Sequence, residues 1–336
     1  MKRISLLAVL AASLISGSLL AQVSPLDPAS FETFPSLPGG PLSLGNPGVW
    51  GRVNPGFFGN PTASVSSDVV VLQRQAPHSQ AILLDGALQP LLNASALGTS
   101  SQAGGRFNLT FFENNGWDFM FEGLFMGVFQ SQRKVDTSNG ATLFFYNSVA
   151  LAPVNTVWSR SGLDSEEFNL RRRLSPNFAL LGGVRALQLD EHVNFGQLGD
   201  PNTGYFSQTA NGLFGGQLGF EAVVPARGYG RFFGTAKYGI YDNRFKVAAQ
   251  ARSGGGVLHM VAIDNMNATV GDFTAGYEVQ TLPCCTLRIG YQALWIQSLA
   301  LSVDQLNQYN IFNNQGTVHK GNALYQGIFV GLVFTM

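Results

Sequence analysis

Apolar and polar residues alternate with a period of two in a series of segments from about Thr62 to the C-terminus. In residues 105–112, for example, Arg106, Asn108 and Thr110 alternate with phenylalanine and leucine. A β-strand places successive side chains on opposite faces, so this alternation predicts strands. Ten strands are predicted, at 63–75, 103–113, 116–127, 164–174, 178–190, 210–224, 229–252, 268–280, 284–297 and 323–335.

The connections between these strands alternate strictly in length. Short connections fall at 114–115, 175–177, 225–228 and 282–283, and long ones at 76–102, 128–163, 191–209, 253–266 and 298–322. Outer-membrane β-barrels have this asymmetry, with tight periplasmic turns and long external loops. The seventh predicted strand is unusually long, and its alternation reverses near Asp242 and Asn243. We interpret the reversal as a β-bulge; a turn there would raise the strand count toward twelve.

The two faces of the predicted strands differ sharply in polarity. One face is almost entirely aromatic and aliphatic, and the other carries most of the charges in the chain. This distribution favours an all-β fold, an antiparallel transmembrane β-barrel with a lipid-facing exterior and a polar, ion-paired lumen, over a secreted β-sandwich with the same alternation. The charged residues expected to face the lumen are Asp68, Arg74, Arg106, Asp118, Glu122, Glu167, Arg171, Arg173, Arg185, Glu221, Arg231, Lys237, Asp272, Glu278 and Arg288.

Composition and the N-terminus agree with an exported membrane protein. Charged residues make up 12% of the 336 residues, about half the ~25% of soluble domains. Residues 1–21 combine Lys2 and Arg3 with an apolar stretch and a final Ala21, which is typical of a signal peptide. Processing after Ser18 and a retained anchor helix are the alternatives. Residues 22–61 are rich in proline and glycine, and 62–336 form the predicted barrel. We therefore expect outer-membrane localisation with lipid as a partner.

The sequence offers little that would support catalysis or cofactor binding. The balance of 20 basic and 20 acidic residues, without basic runs, argues against nucleic acid as a partner. No metal-ligand spacing or phosphate-binding loop is present, so neither a metal nor a cofactor is expected. Asp190, Glu191 and His192 could form a hydrolytic site at the barrel rim, but no serine motif or carboxylate pair accompanies them. We therefore expect solvated loop residues and no enzyme.

Two short motifs have more than one interpretation. Arg171 and Arg173 could form an anion-selective ring, but a network neutralised by Glu167 is favoured because unpaired charge in a narrow lumen is costly. Cys284 and Cys285 are adjacent, and they could form a vicinal disulfide or remain thiols.

Several strand segments carry a family resemblance. They are GGRFNLTFFENNGWDFMFEGLF from Gly104, FALLGGVRALQLDEHV at 178–193, FGGQLGFEA at 214–222, TAKYGIYDN at 235–243, and TAGYEVQTLPCCTLRIGYQALWIQSLALSVDQLNQ at 274–308. The chain resembles the β-barrel porins of planctomycete-type bacteria, specifically the seventh family of that name. The resemblance implies an outer-membrane barrel and does not imply a solute.

The size of the predicted barrel leaves two functions open. Eight-stranded barrels are filled by their own side chains, whereas 16 to 18 strands enclose an aqueous pore. With ten to twelve strands, we expect a narrow passive channel for ions or small solutes. The alternative is a non-conducting structural or surface-interaction barrel that works through external loops such as 128–163 and 298–322.

Overall fold

The structure of the chain is a computed structural model, which describes residues 62–84, 87, 89–98, 101–113, 116–135, 142–143, 156–197, 200–226, 229–253, 256–306, 309–310, 315–316 and 318–336. The predicted signal peptide and the Pro/Gly-rich segment lie outside the described residues, as does the predicted turn at 114–115.

Sixteen strands and one short 3-10 helix, Ala94–Leu97, make up the regular structure of the described residues. The strands are β1 (Ala63–Arg74), β2 (Ala81–Leu84), β3 (Pro90–Asn93), β4 (Gln102–Phe112), β5 (Trp117–Met126), β6 (Phe129–Lys134), β7 (Thr142–Leu143), β8 (Thr156–Ser175), β9 (Phe178–Gln197), β10 (Asp200–Pro225), β11 (Gly230–Ser253), β12 (Gly256–Leu282), β13 (Cys285–Ala300), β14 (Tyr309–Asn310), β15 (Gln315–Gly316) and β16 (Lys320–Thr335).

The long strands close into a ring of ten positions, which confirms the predicted fold. Its order is β1, β4, β5, β8, β9, β10, β11, β12, β13 and β16, with β16 pairing back to β1, and every pairing is antiparallel. Strand β6 continues the line of β5 along β8, since Phe125 pairs with Asp164 and Phe129 with Ser161. The first and last strands meet where the amide of Thr62 donates to the carbonyl of Met336 at 2.8 Å.

Burial alternates along the strands in the opposite sense to that of a soluble protein. The exterior is apolar, with Leu218 74% exposed and Phe214 63% exposed. The interior is charged, with Asp118 fully buried and Arg185 only 1% exposed. Such an arrangement is stable where the outer surface contacts hydrocarbon and the interior charges are paired.

The polarity of both faces reverses partway along β11, and this corrects the predicted bulge. Outward residues change from Tyr238 and Ile240 to Asp242, Arg244 and Lys246, but the register with β10 and β12 continues through this region without a shift. The inward residues change in turn from charged to apolar. We call the apolar band of the exterior that faces hydrocarbon the lipid belt. The reversal therefore marks the height at which the strand leaves the lipid belt, because above it the exterior meets water.

The strands continue beyond the lipid belt, and this part of the barrel, which we call the extension, corrects two of the predicted external loops. Residues 191–209 lie largely in β9 and β10, and residues 253–266 largely in β11 and β12, because these strands continue as hairpins beyond the lipid belt. Their period-two pattern persists there with its faces exchanged, so a polar exterior resembled a polar loop.

An apolar core fills the interior of this extension. The inner residues Phe195, Tyr205, Phe245 and Val247 pack there against a segment at 299–306 that enters from the end of β13. The segment that contains β2, β3 and the short helix contributes further buried residues, namely Ile82, Leu83, Leu92, Ala94 and Leu97. The barrel is thus closed at this end by its own chain.

The opposite end has short turns, and we call it the periplasmic end because short turns face the periplasm in outer-membrane barrels. One of them, Pro283 and Cys284, joins β12 to β13. Cys284 and Cys285 are free thiols, half-buried and buried respectively. No helix among the described residues is long and apolar enough to cross a membrane.

Candidate functional site: the barrel lumen

The fifteen charged residues singled out in the sequence all take part in ion pairs within the ring. The pairs join Asp68 to Arg106 and Arg288, Asp118 to Arg171 and Arg173, Arg171 to Glu221, Arg185 to Glu167 and Asp272, Lys237 to Glu122, Glu167 and Asp272, Arg231 to Glu278, and Arg74 to Glu191. Several of these pairs join strands that are not neighbours in the ring, so the side chains meet across the lumen.

The central cluster joins five strands across the lumen, namely β5, β8, β9, β11 and β12. Arg185 Nη1 lies 3.2 Å from both Glu167 Oε1 and Asp272 Oδ2, and Lys237 Nζ lies 2.7 Å from Glu167 Oε2. Glu122 Oε2 approaches the same ammonium at 3.6 Å. Two cations and three carboxylates therefore share one site. Charged groups remain charged in such a site because each has an opposite partner in place of water.

Neutral side chains extend the central cluster. Gln217 Nε2 donates to Glu167 Oε2 at 2.7 Å and to Asn169 Oδ1 at 2.9 Å. The hydroxyl of Tyr241 donates to Gln217 Oε1 at 2.9 Å. These contacts leave the middle of the lumen filled with hydrogen-bonded side chains.

A second cluster surrounds Asp68, which lies between two arginines. Arg106 Nε donates to Asp68 Oδ2 at 2.7 Å, and Arg288 Nε donates to Asp68 Oδ1 at 2.6 Å. Gln292 joins this cluster to the central one, because its Oε1 accepts from Arg106 Nη1 at 3.2 Å and its Nε2 donates to Asp272 Oδ1 at 3.3 Å.

A third cluster lies near the periplasmic end and contains the arginines considered for an anion-selective ring. Arg171 lies 2.8 Å from Asp118 and 3.1 Å from Glu221, and Arg173 lies 3.2 Å from Asp118. Asp118 and Glu221, rather than Glu167, provide the counter-charges. The intervening Arg172 lies outside the ring, with its guanidinium 5.1 Å from the centre of the Trp117 ring.

The external end is closed by the segment 299–306, which is anchored by polar groups of the barrel wall. Asn211 Nδ2 donates to the carbonyl of Ala300 at 2.8 Å, and Asn211 Oδ1 accepts from the amide of Ala300 at 2.9 Å. Ser302 donates its amide to Glu191 Oε2 at 3.0 Å and its hydroxyl to the Glu191 carbonyl at 2.9 Å. The same Glu191 forms the ion pair with Arg74.

The backbone of Ser298 forms a bulge in β13, just before the chain enters the lumen. Its φ of 61° lies in the left-handed region, which is uncommon for a residue with a Cβ. Asn243 Nδ2 donates to the Ser298 carbonyl at 3.3 Å, and the Ser298 amide donates to Asn322 Oδ1 at 3.4 Å. Side chains from β11 and β16 thus hold the bulge in place.

The closing segment carries a raised acid pKa. Burial raises the pKa of the Asp304 carboxyl above its ordinary value of 3.8, and His319, Arg74 and His78 oppose the shift. Gln305 reinforces the segment, since its Nε2 donates to the carbonyl of His319 at 2.8 Å and its Oε1 accepts from the His319 amide at 3.0 Å.

Sequence reasoning missed the inward position of Glu191 and the closing segment. The predicted external loop 191–209 includes Glu191, because a polar exterior beyond the lipid belt hides the continuation of β9. The run from Leu299 to Leu306 carried a usable signal, since it is rich in aliphatic residues within an otherwise polar connection. An apolar run in a connection indicates burial, although alternation alone does not tell where.

The candidate rim hydrolase residues do not converge. Glu191 lies inside the ring with Arg74, while Asp190 and His192 alternate with it on the outer face. His192 is half-buried beside Phe206, with ring centroids 5.9 Å apart. Among the described residues no group of three or more His, Cys, Asp or Glu side chains is arranged to hold a metal ion.

A cavity of about 260 Å³ opens below the central cluster toward the periplasmic end. Its wall combines hydroxyl, amide and charged groups with apolar side chains such as Phe112 and Phe233. The charged wall residues are Arg106, Glu122, Arg171, Glu221, Arg231, Lys237, Glu278 and Arg288. The lumen is therefore accessible from one end, filled in the middle and closed at the other end.

A closed antiparallel ring with an apolar exterior and an ion-paired interior defines a β-barrel of the outer-membrane class. No family model matches the chain, and no curated protein matches it significantly. Among solved structures, the outer membrane protease OmpT from Escherichia coli is similar at 10% identity and a TM-score of 0.47, covering 81% of this chain and 97% of that one. A Pseudomonas aeruginosa FadL homologue is similar at 10% identity and a TM-score of 0.35, covering 86% of this chain and 97% of that one. Ail, the attachment invasion locus protein of Yersinia pestis, is similar at 9% identity and a TM-score of 0.27, covering 82% of this chain and 99% of that one.

Proposed function

We propose that this chain is a non-conducting outer-membrane barrel that acts through the part extending beyond the membrane. The observation that carries the proposal is the segment 299–306, which lies in the lumen and is bonded to the wall through Asn211 and Glu191. An ion cannot follow a path occupied by packed side chains. The central cluster supports the same conclusion, because it fills the lumen below this segment.

The extended hairpins support a role at the surface. Residues 259–268 of β12 pair with β11 on one side, while pairing with β13 begins only at Thr269, so among the described residues the other side is an open edge. Beside this edge, Val261 is 53% exposed and Ile263 is 76% exposed, although both lie beyond the lipid belt. An exposed edge with apolar side chains is a template for an added strand.

An extended segment of another protein is the occupant that fits this edge. Two copies in one membrane are related by an axis along the membrane normal, so their β12 strands would run in the same sense and could not pair antiparallel. A separate chain arriving from outside has no such restriction. A photoreactive residue at position 263 on intact cells should therefore cross-link to a second polypeptide, and adducts formed only with lipid would count against a surface role.

A narrow passive channel for ions or small solutes is the second candidate. The periplasmic cavity and the charged groups in its wall favour it, since a solute could enter the lumen from that side. Conduction would require both the closing segment and the central cluster to move.

Single-channel conductance in a planar bilayer distinguishes the two candidates. Heat-modifiable gel mobility first establishes that the refolded barrel is intact. The unmodified chain should give no discrete current steps, and steps that grow with salt concentration would overturn the proposal in favour of the channel. A chain in which residues 301–306 are replaced by glycine and serine tests which part of the protein closes the lumen. Current in this variant, with none in the unmodified chain, identifies the segment as the barrier. Silence in both chains identifies the central cluster as the barrier.

We also propose that the chain has no hydrolytic activity, although OmpT is a protease by name. The support is the separation of Glu191 from Asp190 and His192 by the barrel wall. Purified barrel should not cleave fluorogenic peptide or ester substrates above the background of a His192→Ala variant. Cleavage that this variant abolishes would show a catalytic site at the rim.

We propose in addition that residues 1–21 direct export of the chain. We also propose that the chain belongs to the planctomycete-type porin family. The apolar stretch after Lys2 and Arg3 supports export, and the strand segments quoted above support the family. N-terminal sequencing of the barrel recovered from outer membranes should begin at Gln22. A mature chain that retains Met1 would favour the anchor helix instead.

A further inference from the structure

We propose that the periplasmic cavity binds a small anion that carries a phosphate or carboxylate group, with Arg106 and Arg288 as its principal ligands. This site lies below the central cluster, so it does not depend on whether the external end is closed.

The local charge balance at this place favours an anion. Arg106 and Arg288 share the single carboxylate of Asp68, which leaves one positive charge in excess. The matching negative excess lies in the central cluster, where Arg185 and Lys237 face three carboxylates. Gln292 bridges the two clusters, so the charges balance within the protein but remain separated in space.

The cavity faces more of the positive side of this separation than of the negative side. Arg106 and Arg288 line the cavity wall, and so do Lys237 and Glu122 of the central cluster, whereas Asp68, Glu167 and Asp272 do not. Taken together, the wall carries five basic side chains and three acidic ones. An anion in the cavity would therefore meet the cations directly, while most of the balancing carboxylates lie behind them.

The guanidinium groups of the two arginines are also held in an orientation that allows them to bind an anion. Both guanidiniums lie over the ring of Phe329, at 4.2 Å for Arg106 and 5.7 Å for Arg288, which restricts their orientation. Their Nε atoms are used by Asp68, but Nη2 of Arg106 and Nη1 of Arg288 have no hydrogen-bond acceptor among the described residues. Planar guanidiniums with free N–H groups match the geometry of phosphate and carboxylate oxygens.

The size of the cavity limits the ligand. At about 260 Å³ it is slightly smaller than the ~300–1,000 Å³ typical of pockets for larger organic ligands. Asn108 and Thr286 add an amide and a hydroxyl to the wall beside the arginines, so a small polar anion would find hydrogen-bond partners as well as charge.

Calorimetric titration of the full-length refolded barrel tests the site, with inorganic phosphate and acetate as separate probes. Saturable binding of at least one probe is expected, and it should weaken about tenfold or more in Arg288→Gln, because a charge-assisted hydrogen bond is lost. Arg288→Lys, which keeps the charge but not the fork geometry, should bind more weakly than the unmodified chain and more tightly than Arg288→Gln.

Arg244→Gln is the matched control, because Arg244 lies on the outer face with its side chain 84% exposed. It should bind as the unmodified chain does. Absence of saturable binding in the unmodified chain, or an equal loss in Arg244→Gln, would overturn the proposal. Preferential binding of phosphate or of acetate identifies which anionic group the site prefers. If Arg288→Gln fails to fold, the weaker binding expected of Arg288→Lys still tests the site.

Discussion

A strand that passes close to a buried charge in this barrel leaves no room for a side chain. Gly331 of β16 pairs with both Asp68 of β1 and Arg288 of β13, so it lies beside the carboxylate that the two arginines share. A Cβ at this position would collide with Asp68 Oδ1 and with the carbonyl of Ser67. The glycine is therefore required for the charge cluster to form.

A pair of glycine substitutions tests this constraint. Gly331→Ala should destabilise the barrel by about 1–3 kcal/mol, the usual cost of forcing extra volume into a packed interior. Urea unfolding followed by tryptophan fluorescence measures the change. Gly105→Ala is the matched control, since a Cβ at Gly105 meets no atom within 4 Å and the residue lies on the exposed face of β4. An equal loss in both variants would mean that the contact with Asp68 is unimportant.

At the scale of a single strand, the reversal of polarity along β11 defines the edge of the lipid belt. Its outer face carries Phe232, Tyr238 and Ile240 below the reversal and charged residues above it. The strand itself continues unbroken, so one element serves two environments.

Two alanines on the outer face of β11 locate the belt. Ala236→Arg lies within the belt and should cost about 2–4 kcal/mol in lipid vesicles, since a charge there contacts hydrocarbon. Ala248→Arg lies twelve positions further along the same face, beside Lys246, and should leave the stability nearly unchanged. Equal effects of the two substitutions on urea unfolding would contradict the position of the belt.

The closing segment should respond to pH through Asp304. Because its pKa is raised in the folded state, the folded chain retains the proton better than the unfolded chain, and stability falls as the pH rises from about 3.8 through the raised value. Asp304→Asn should remove this part of the pH dependence and stabilise the segment at neutral pH. Hydrogen exchange of the 299–306 amides between pH 4 and 7 measures both effects, and an unchanged pH profile in the variant would contradict this role.

At the scale of the whole molecule, a connected polar network ties the ring together across its lumen. It draws on β1, β4, β5, β8, β9, β10, β11, β12 and β13. Closing the sheet removes its edges within the lipid belt, and the network adds contacts between strands that are not neighbours. Loss of one central charge should therefore affect the entire barrel.

Arg185→Gln tests this connection. Removing the guanidinium leaves Glu167 and Asp272 without a buried partner, so we expect a loss of about 3–5 kcal/mol in the free energy of unfolding. Arg244→Gln, which removes the exposed partner of Asp242, should unfold like the unmodified chain. A small effect of Arg185→Gln, comparable to that of the control, would show that the central cluster contributes little to stability.

The fold was largely predictable, whereas the closure of the lumen was not. Alternation placed Arg106, Arg171 and Lys237 on one face of their strands, because a period of two is a local property of extended backbone. It did not show that Asp68 lies between Arg106 and Arg288, since these residues belong to three strands that are far apart in the chain. It also could not place residues 299–306 in the lumen, because nothing local specifies where a connection packs.

The sequence by itself determined an all-β ring with an apolar exterior and a charged interior, because lipid and a paired lumen each select residues at alternate positions. Tertiary structure alone decided which charges meet, where β11 leaves the lipid, and that the chain returns through Ser298 to close its own barrel. Those outcomes depend on distances between strands remote in sequence, and these distances are set only once the ring has closed.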